Sequence, residues 1–301
     1  MKKVLTIIVS YNFMRWIDRC LPSLQDSTYP TDILVIDNGS TDDTIKLLQN
    51  NYPSVRLIAN HKNLGFGQAN NIGMKIALQE NYGAVFLLNQ DAWVDKTTVA
   101  RLVEVSTSHP EYGILSPIHL TGDHNQPEHG FSIYTGVNDL QHLSDSEVVS
   151  VPFINAAVWY IPIEVLKRVG LFAPLFYHYG EDKDYANRIH YYKYLIGYLP
   201  DVFACHDRAF RIVKRTDFVR AERVYHLSEY ANVNYSFGKA FSYGILALWK
   251  KATISLLHGR LDNWRLYTKL SVILLNQTNK VKVTRKLSIQ NNQAMKENNH
   301  E

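Results

Sequence analysis

The sequence predicts an α/β fold: a mostly parallel central sheet flanked by helices, followed by a C-terminal helical extension. Three observations predict it. Short apolar runs rich in β-branched residues alternate with helix-period segments over residues 1–90. The residues that close those runs are polar, as expected where an open sheet presents its functional edge. After about residue 215 strand signals cease and basic and aromatic residues accumulate in helical patterns.

Val4 to Val9, Ile33 to Ile36, Val55 to Ile58 and Ala84 to Leu88 are continuous apolar runs that suit strands buried on both faces. Between them, Trp16, Ile17, Cys20, Leu21 and Leu24 share one helical face, and further helical patterns cover 44–49 and 68–78. Pro22 predicts a kink or a shortened first helix. The order β-α-β-α-β-α-β is met most economically by parallel strands with right-handed crossovers. From about residue 95 the alternation becomes irregular, with a loop over 121–130 and a polar stretch over 138–147; this region is expected to extend and cover the sheet. Apolar character returns over Val151 to Ile161. It is followed by a short helix at 163–168, a turn at Gly170, a helix from Asp182 to Tyr192 and a strand over Tyr194 to Leu199. The expected organisation is a catalytic domain over 1–214, with halves of about 1–105 and 106–214, a basic amphipathic helical extension over 215–288 and a disordered tail over 289–301.

Composition excludes several classes. In 301 residues, 46% apolar and 20% charged, there is ample material for a core, and no window holds the 18 or more uninterrupted apolar residues of a membrane span. The first apolar run ends in Ser10-Tyr11-Asn12 without a small-residue cleavage site, so it reads as a strand and not as a signal peptide. Cys20 and Cys205 form neither a disulfide framework nor a closely spaced zinc site, and a reducing cytoplasm is expected. The net charge of +4 hides an asymmetry. Residues 1–210 hold 16 Lys and Arg against 22 Asp and Glu, a balance of −6, whereas residues 211–301 hold 16 against 6, a balance of +10. The basic segment implies an anionic partner.

The chemistry is expected beyond the carboxyl ends of the strands. Those ends read Ser10-Tyr11-Asn12, Asp37-Asn38-Gly39-Ser40 and Asn89-Gln90-Asp91. No Gly-x-Gly-x-x-Gly or Gly-Lys-Ser/Thr loop follows a strand, so dinucleotide-binding and P-loop readings lose their main support.

Five segments occur in a telling order: Val9 to Asn12, Ile36 to Asp42, Asn63 to Gly67, Leu88 to Asp91 and Gly180 to Asp184. In this the sequence resembles family 2 glycosyltransferases, most of all their rhamnosyltransferase-like group, over roughly residues 3–210. The resemblance implies a GT-A fold, a nucleotide-diphosphate sugar donor, a divalent metal such as Mg²⁺ or Mn²⁺, and inversion at the anomeric carbon. It assigns donor contacts to Ser10, Tyr11, Asn12, Asp37, Asn38, Gly65, Asn71 and Asn89, with Tyr11 beside the base, Asp37 accepting from base or ribose, and Asn71 reaching back to base or sugar. Asp37 to Ser40 also fits a plain turn before an Asp-capped helix. Asp91 and His206 are the implied metal ligands; the family often has Asp-x-Asp where this chain has Asn89-Gln90-Asp91, so one carboxylate is an amide. Asp182 is the implied general base, while Glu181, Asp182 and Asp184 also complement a helix N-terminus, with Arg188 as structural partner. Phe172, Phe176, Tyr177, His178 and Tyr179 suit either an acceptor wall or core packing.

The implied activity is transfer of a hexosyl or deoxyhexosyl group to a hydroxyl of a glycan or lipid-linked acceptor in cell-surface polysaccharide synthesis. Two alternatives stand beside it: a sugar nucleotidyltransferase, which lacks its Gly-rich phosphate loop here, and an inactive nucleotide-sugar-binding regulator, which Asn89 keeps open. In the tail, apolar and basic residues interleave with Trp264 and Tyr267. That pattern fits contact with the inner membrane surface, docking on the catalytic domain, or a homodimer interface; no nucleic-acid module is recognisable.

Overall fold

The computed structural model describes residues 2–208 and 215–297. The four predicted strands form as β1 (Val4–Ser10), β2 (Asp32–Asp37), β3 (Arg56–Ala59) and β4 (Ala84–Leu88), connected by α1 (Ile17–Gln25), α2 (Thr44–Asn51) and α3 (Phe66–Gln79). They lie in the order β3-β2-β1-β4, all parallel. Both faces are covered, as the continuous apolar runs require. Leu5, Ile7, Leu34, Ile36, Val85 and Leu87 enter one core, whereas Val4, Ile8, Val35, Ala84, Phe86 and Leu88 enter the other. Pro22 sits inside α1, which is short.

Beyond β4 the sheet continues through the irregular region that was expected to extend and cover it. β5 (Ala92–Val94) and α4 (Thr98–Ser108) lead into β6 (Tyr112–Leu120), every residue of which is buried. Gly113, Ser116, Pro117 and His119 interrupt its apolar pattern, which hid the strand. Pro117 lies at a register shift, where a missing N–H is tolerated, and the Ser116 hydroxyl donates to the Val158 carbonyl at 2.7 Å. α5 (His129–Thr135) and β7 (Val149–Ser150) follow; then β8 (Val158–Pro162) inserts antiparallel between β4 and β6 and turns the parallel sheet into a mixed one. α6 (Ile163–Val169) and α7 (Glu181–Tyr191) match the expected helices. β9 (Leu195–His206) runs seven residues past the expected end at Leu199, and carries His206 opposite Ala92 of β5.

The extension is helical throughout its described part: α8 (Arg215–Ala231), α9 (Phe237–Phe241), a π-helical turn (Ser242–Leu246), α10 (Ala247–Leu257), α11 (Leu261–Asn276) and α12 (Thr278–Glu297). Helix α12 runs into the segment expected to be a disordered tail, and residues 298–301 lie outside the described residues. Docking on the catalytic domain accounts for the inner face of these helices. Leu227, Tyr230, Leu248, Leu270 and Leu274 pack with Ala173 and Phe176 in a third core, and the Tyr192 hydroxyl donates to the Ser288 carbonyl at 2.6 Å. No helix among the described residues is long and apolar enough to cross a membrane. Cys20 and Cys205 are buried and free.

Gly65, before α3, joins the two halves of the domain. Its backbone (φ 79°, ψ 164°) falls in a region that glycine nearly monopolises, and a Cβ there would lie 1.9 Å from the Tyr177 carbonyl oxygen. Gly65→Ala is therefore expected to lower stability by about 2–4 kcal/mol in urea unfolding, the combined cost of strain and overpacking; a change within 0.5 kcal/mol, the usual range of surface substitutions, would contradict this packing.

Candidate active site

Side chains that bond to backbone hold the carboxyl edge of the sheet together. Asp37, closing β2 opposite Ser10, accepts from the Ser10 hydroxyl (3.1 Å), the N–H groups of Gly39 (3.1 Å) and Ser40 (3.0 Å), and the Ser40 hydroxyl. Asn12 takes the left-handed conformation that asparagine tolerates (φ 55°) and accepts from the Thr41 N–H at 2.9 Å. The N–H of Asn38 donates to the Ser10 carbonyl (2.7 Å), while its side-chain oxygen accepts from the Leu64 N–H (2.9 Å) and its amide nitrogen donates to Asn63 (3.0 Å). Asn71 makes a two-point clamp on Phe172, accepting from its N–H at 2.8 Å and donating to its carbonyl at 2.9 Å.

These contacts sort the expected donor residues. Ser10, Asp37, Asn38 and Asn71 are buried, with polar groups engaged by the chain itself. Two expectations change accordingly. Asn71 does not reach back towards a base or sugar, because both ends of its amide are taken by Phe172. The Asp37 carboxylate, met by four donors, anchors the turn at 37–40 and is closed to a base or ribose as the chain stands. Tyr11 is different: its ring is exposed, and Gln90, which the sequence reading passed over, fixes its backbone by accepting from the Tyr11 N–H (2.8 Å) and donating to its carbonyl (3.1 Å). Gly65 is the close-approach point described above.

Asp91, Asn89 and His206 meet at the end of β4. Nε2 of His206 lies 3.5 Å from Oδ1 of Asp91 and 3.5 Å from the side-chain nitrogen of Asn89. The Asp207 N–H donates to the Asp91 carbonyl at 2.8 Å, and the Asp207 carboxylate accepts from Trp16 (2.9 Å) and Arg15 (3.1 Å), which ties the end of β9 to the loop after β1. The His206 ring is buried edge-on against His119, with centroids 6.2 Å apart. His119 is itself fully buried; burial and then the neighbouring His206 hold its pKa down to about 3, so it packs as a neutral ring, with Nε2 beside the Ser116 hydroxyl at 2.9 Å. A separation of 3.5 Å is at the limit of a hydrogen bond and suits two ligands facing one cation. One carboxylate and one imidazole therefore fit a divalent ion. Among the described residues no three His, Cys, Asp or Glu side chains converge, so such an ion needs further oxygens from its substrate.

Asp182 stands in the first turn of α7, after Gly180 (φ 92°). Burial raises its carboxyl pKa, against the opposing pull of the Lys183 N–H, which donates at 2.7 Å, and of the Ala156 N–H. The Ala157 carbonyl accepts from the Asn89 N–H at 2.8 Å. Glu181 is buried, with Oε2 unpartnered among the described residues, and burial raises its pKa to about 7. Asp184 is committed to Arg188 in a buried pair at 3.0 Å. Tyr134 was not foreseen: burial and then the Asp182 charge raise its pKa. Of the aromatic approach, Phe172 and Phe176 are core residues, while Tyr177, His178 and Tyr179 are exposed.

Residues 6–153 match the model of a family described as Glycosyl transferase family 2. Residues 6–153 thus carry a glycosyl transferase family 2 domain. It is 31% identical over 128 residues, 39% of its length, to the N-acetylglucosaminyl-diphospho-decaprenol L-rhamnosyltransferase of Mycobacterium tuberculosis. The chain spans less than half the length of the curated relatives it matches. Among solved structures, the family 2 domain and its extension resemble S. aureus TarS 1-349 in complex with UDP (TM-score 0.52, 16% identity, covering 99% of this chain and 91% of that one). They also resemble the mannosyltransferase PcManGT of Pyrobaculum calidifontis in complex with GDP-Man and Mn²⁺ (TM-score 0.55, 17% identity, 96% and 87%). At these identities the likeness establishes the fold, which is GT-A.

Glu181 gives this site a pH signature. Its folded pKa lies above that of an unfolded glutamate, so the folded chain binds the extra proton. Stability is then highest below the ordinary glutamate range and falls as pH rises through about 7. Glu181→Gln is expected to abolish a loss of about 2–4 kcal/mol between pH 5 and pH 8 in urea unfolding; an equal decline in both proteins would refute the buried, unpaired state of this carboxyl.

Proposed function

We propose that this chain is an inverting glycosyltransferase that moves a hexosyl or deoxyhexosyl group from a nucleotide-diphosphate sugar to a hydroxyl of a glycan or lipid-linked acceptor in cell-surface polysaccharide synthesis. The observation that carries the proposal is the meeting of Asp91 and His206 at 3.5 Å, beside Asn89, at the carboxyl end of β4. A cation-binding pair there, with Asp182 as the base, is what a single displacement needs.

Asp91 and His206 would hold a Mg²⁺ or Mn²⁺ ion, with Asn89 contributing its neutral amide. When bound, the ion supplies positive charge to the diphosphate oxygens of the leaving group. Asp182 takes the proton of the acceptor hydroxyl as its oxygen bonds to the anomeric carbon and the bond from that carbon to the diphosphate breaks. A raised carboxyl pKa makes Asp182 a stronger base than a solvated aspartate. Inversion follows because one base suffices and no carboxylate nucleophile intervenes. Tyr11 offers an exposed ring for the base of the donor. On the acceptor side, Tyr134 stands edge-on to Phe153 with centroids 4.7 Å apart, and the Lys183 ammonium lies 4.9 Å from the Phe153 centroid. An aromatic face beside a cation suits a sugar that carries a phosphate.

The amide at Asn89 and the two-residue cation pair favour one second reading, a nucleotide-sugar-binding protein without turnover. Donor hydrolysis and transfer with added Mn²⁺ separate the two, with UDP-, dTDP- and GDP-sugars as donors. Asp182→Asn is expected to lower kcat by about 10²–10⁴-fold with donor affinity retained in calorimetry, and Asp91→Ala to weaken Mn²⁺-dependent donor binding about tenfold or more. Unchanged turnover in both variants removes the assignment. Because Asp182 must be ionised to act, the acid limb of kcat/KM is expected above the ordinary aspartate range and to vanish in Asp182→Asn.

A further inference from the structure

Helix α10 carries apolar residues well beyond its buried face. At 100° per residue, Leu248, Ala252 and Ser255 share the side that is buried in the third core. Trp249, Ile254, Leu256 and Leu257 lie outside that side and, with Leu246 in the preceding turn, are 46%, 45%, 48%, 79% and 42% exposed. The apolar surface continues through the exposed turn His258-Gly259-Arg260 to Leu261 at the start of α11, so the tip of the α10–α11 hairpin is lined with leucine. A docked helix needs only one apolar face, and packing within the described residues leaves the rest unexplained.

Charge identifies what fits it. Lys250, Arg260, Arg265 and Lys269 are all exposed on this hairpin, against one exposed acid, Asp262; Lys251 is already paired with Glu222 at 2.7 Å. A symmetric contact with a second copy would bring these cations against their own counterparts, which disfavours a homodimer through this face. Leucines and a tryptophan rimmed by lysine and arginine suit the boundary of an anionic bilayer: the apolar groups enter the acyl region, the indole sits at headgroup depth, and the cations meet lipid phosphates. We propose that the α10–α11 hairpin docks this protein on an anionic lipid surface through Leu246, Trp249, Leu256, Leu257 and Leu261. The proposal goes beyond the transferase reading and does not depend on it, although a lipid-linked acceptor would lie at that surface.

The test is flotation of the full chain with phosphatidylcholine vesicles and with vesicles containing about 30 mol % phosphatidylglycerol. Binding is expected only to the anionic vesicles, and to fall with rising salt. Leu256→Ser combined with Leu257→Ser is expected to weaken it by about tenfold or more at unchanged melting temperature, since both positions are exposed. Lys250→Glu combined with Arg260→Glu is expected to weaken it comparably and to flatten its salt dependence. Failure of the unaltered chain to float with anionic vesicles, equal binding to both vesicles, or wild-type binding by both variants overturns the proposal. A concentration-dependent dimer in ultracentrifugation that the leucine variant dissolves also overturns it and gives the face to a second copy. Donor hydrolysis measured without vesicles reports on the transferase reading separately and is expected to be the same in all these variants.

Discussion

The arrangement of this protein depends on side-chain amides and carboxylates that complete backbone hydrogen bonding where the strands stop. Past the last ladder bond, each N–H and carbonyl needs another partner or water. Asp37, Asn38, Asn71 and Gln90 supply those partners, Asp37 within its own turn and the other three at points distant in sequence. Where the backbone group is buried, as at Phe172, loss of the side chain leaves it unpaired, which costs more than the bond itself contributes. These residues hold the edge in shape and leave to a few others the contact with a ligand.

That division explains why the polar strand ends behave so differently. Asp37 and Asp184 are saturated, one by four donors and the other by Arg188. Asp91 and His206 face each other at 3.5 Å without saturating one another. Asp182 and Glu181, adjacent in sequence, are both raised by burial, and the Lys183 N–H donates to the Asp182 carboxylate at 2.7 Å. A carboxylate that is partly compensated and not salt-bridged retains the basicity that proton transfer needs.

The C-terminal helices do two things. Their inner faces close over Ala173 and Phe176, next to the loop that Asn71 and Gly65 secure, so extension and catalytic domain share a core. Their outer surface carries apolar and basic groups that this core does not use.

By itself, the sequence determined the β-α-β half, the family, and the identity of the polar residues at the strand ends, because those signals are local: apolar runs of strand length, helical periodicity and short ordered motifs. Asp91, His206 and Asp182 were singled out as candidates by the same kind of signal. Tertiary structure alone decided the rest. β6 and β8 were hidden because their burial comes from neighbours far along the chain, and Ser116, Pro117 and His119 break a pattern that only pairing makes sense of. The sequence cannot say whether a given Asp or Asn faces a ligand or the chain, since turn, clamp and contact draw on the same residue types. The Asp37 anchor is a local turn that the sequence left open beside the ligand reading, whereas Asn71 is a clamp because the fold brings Phe172 against its amide, a contact that no linear spacing encodes.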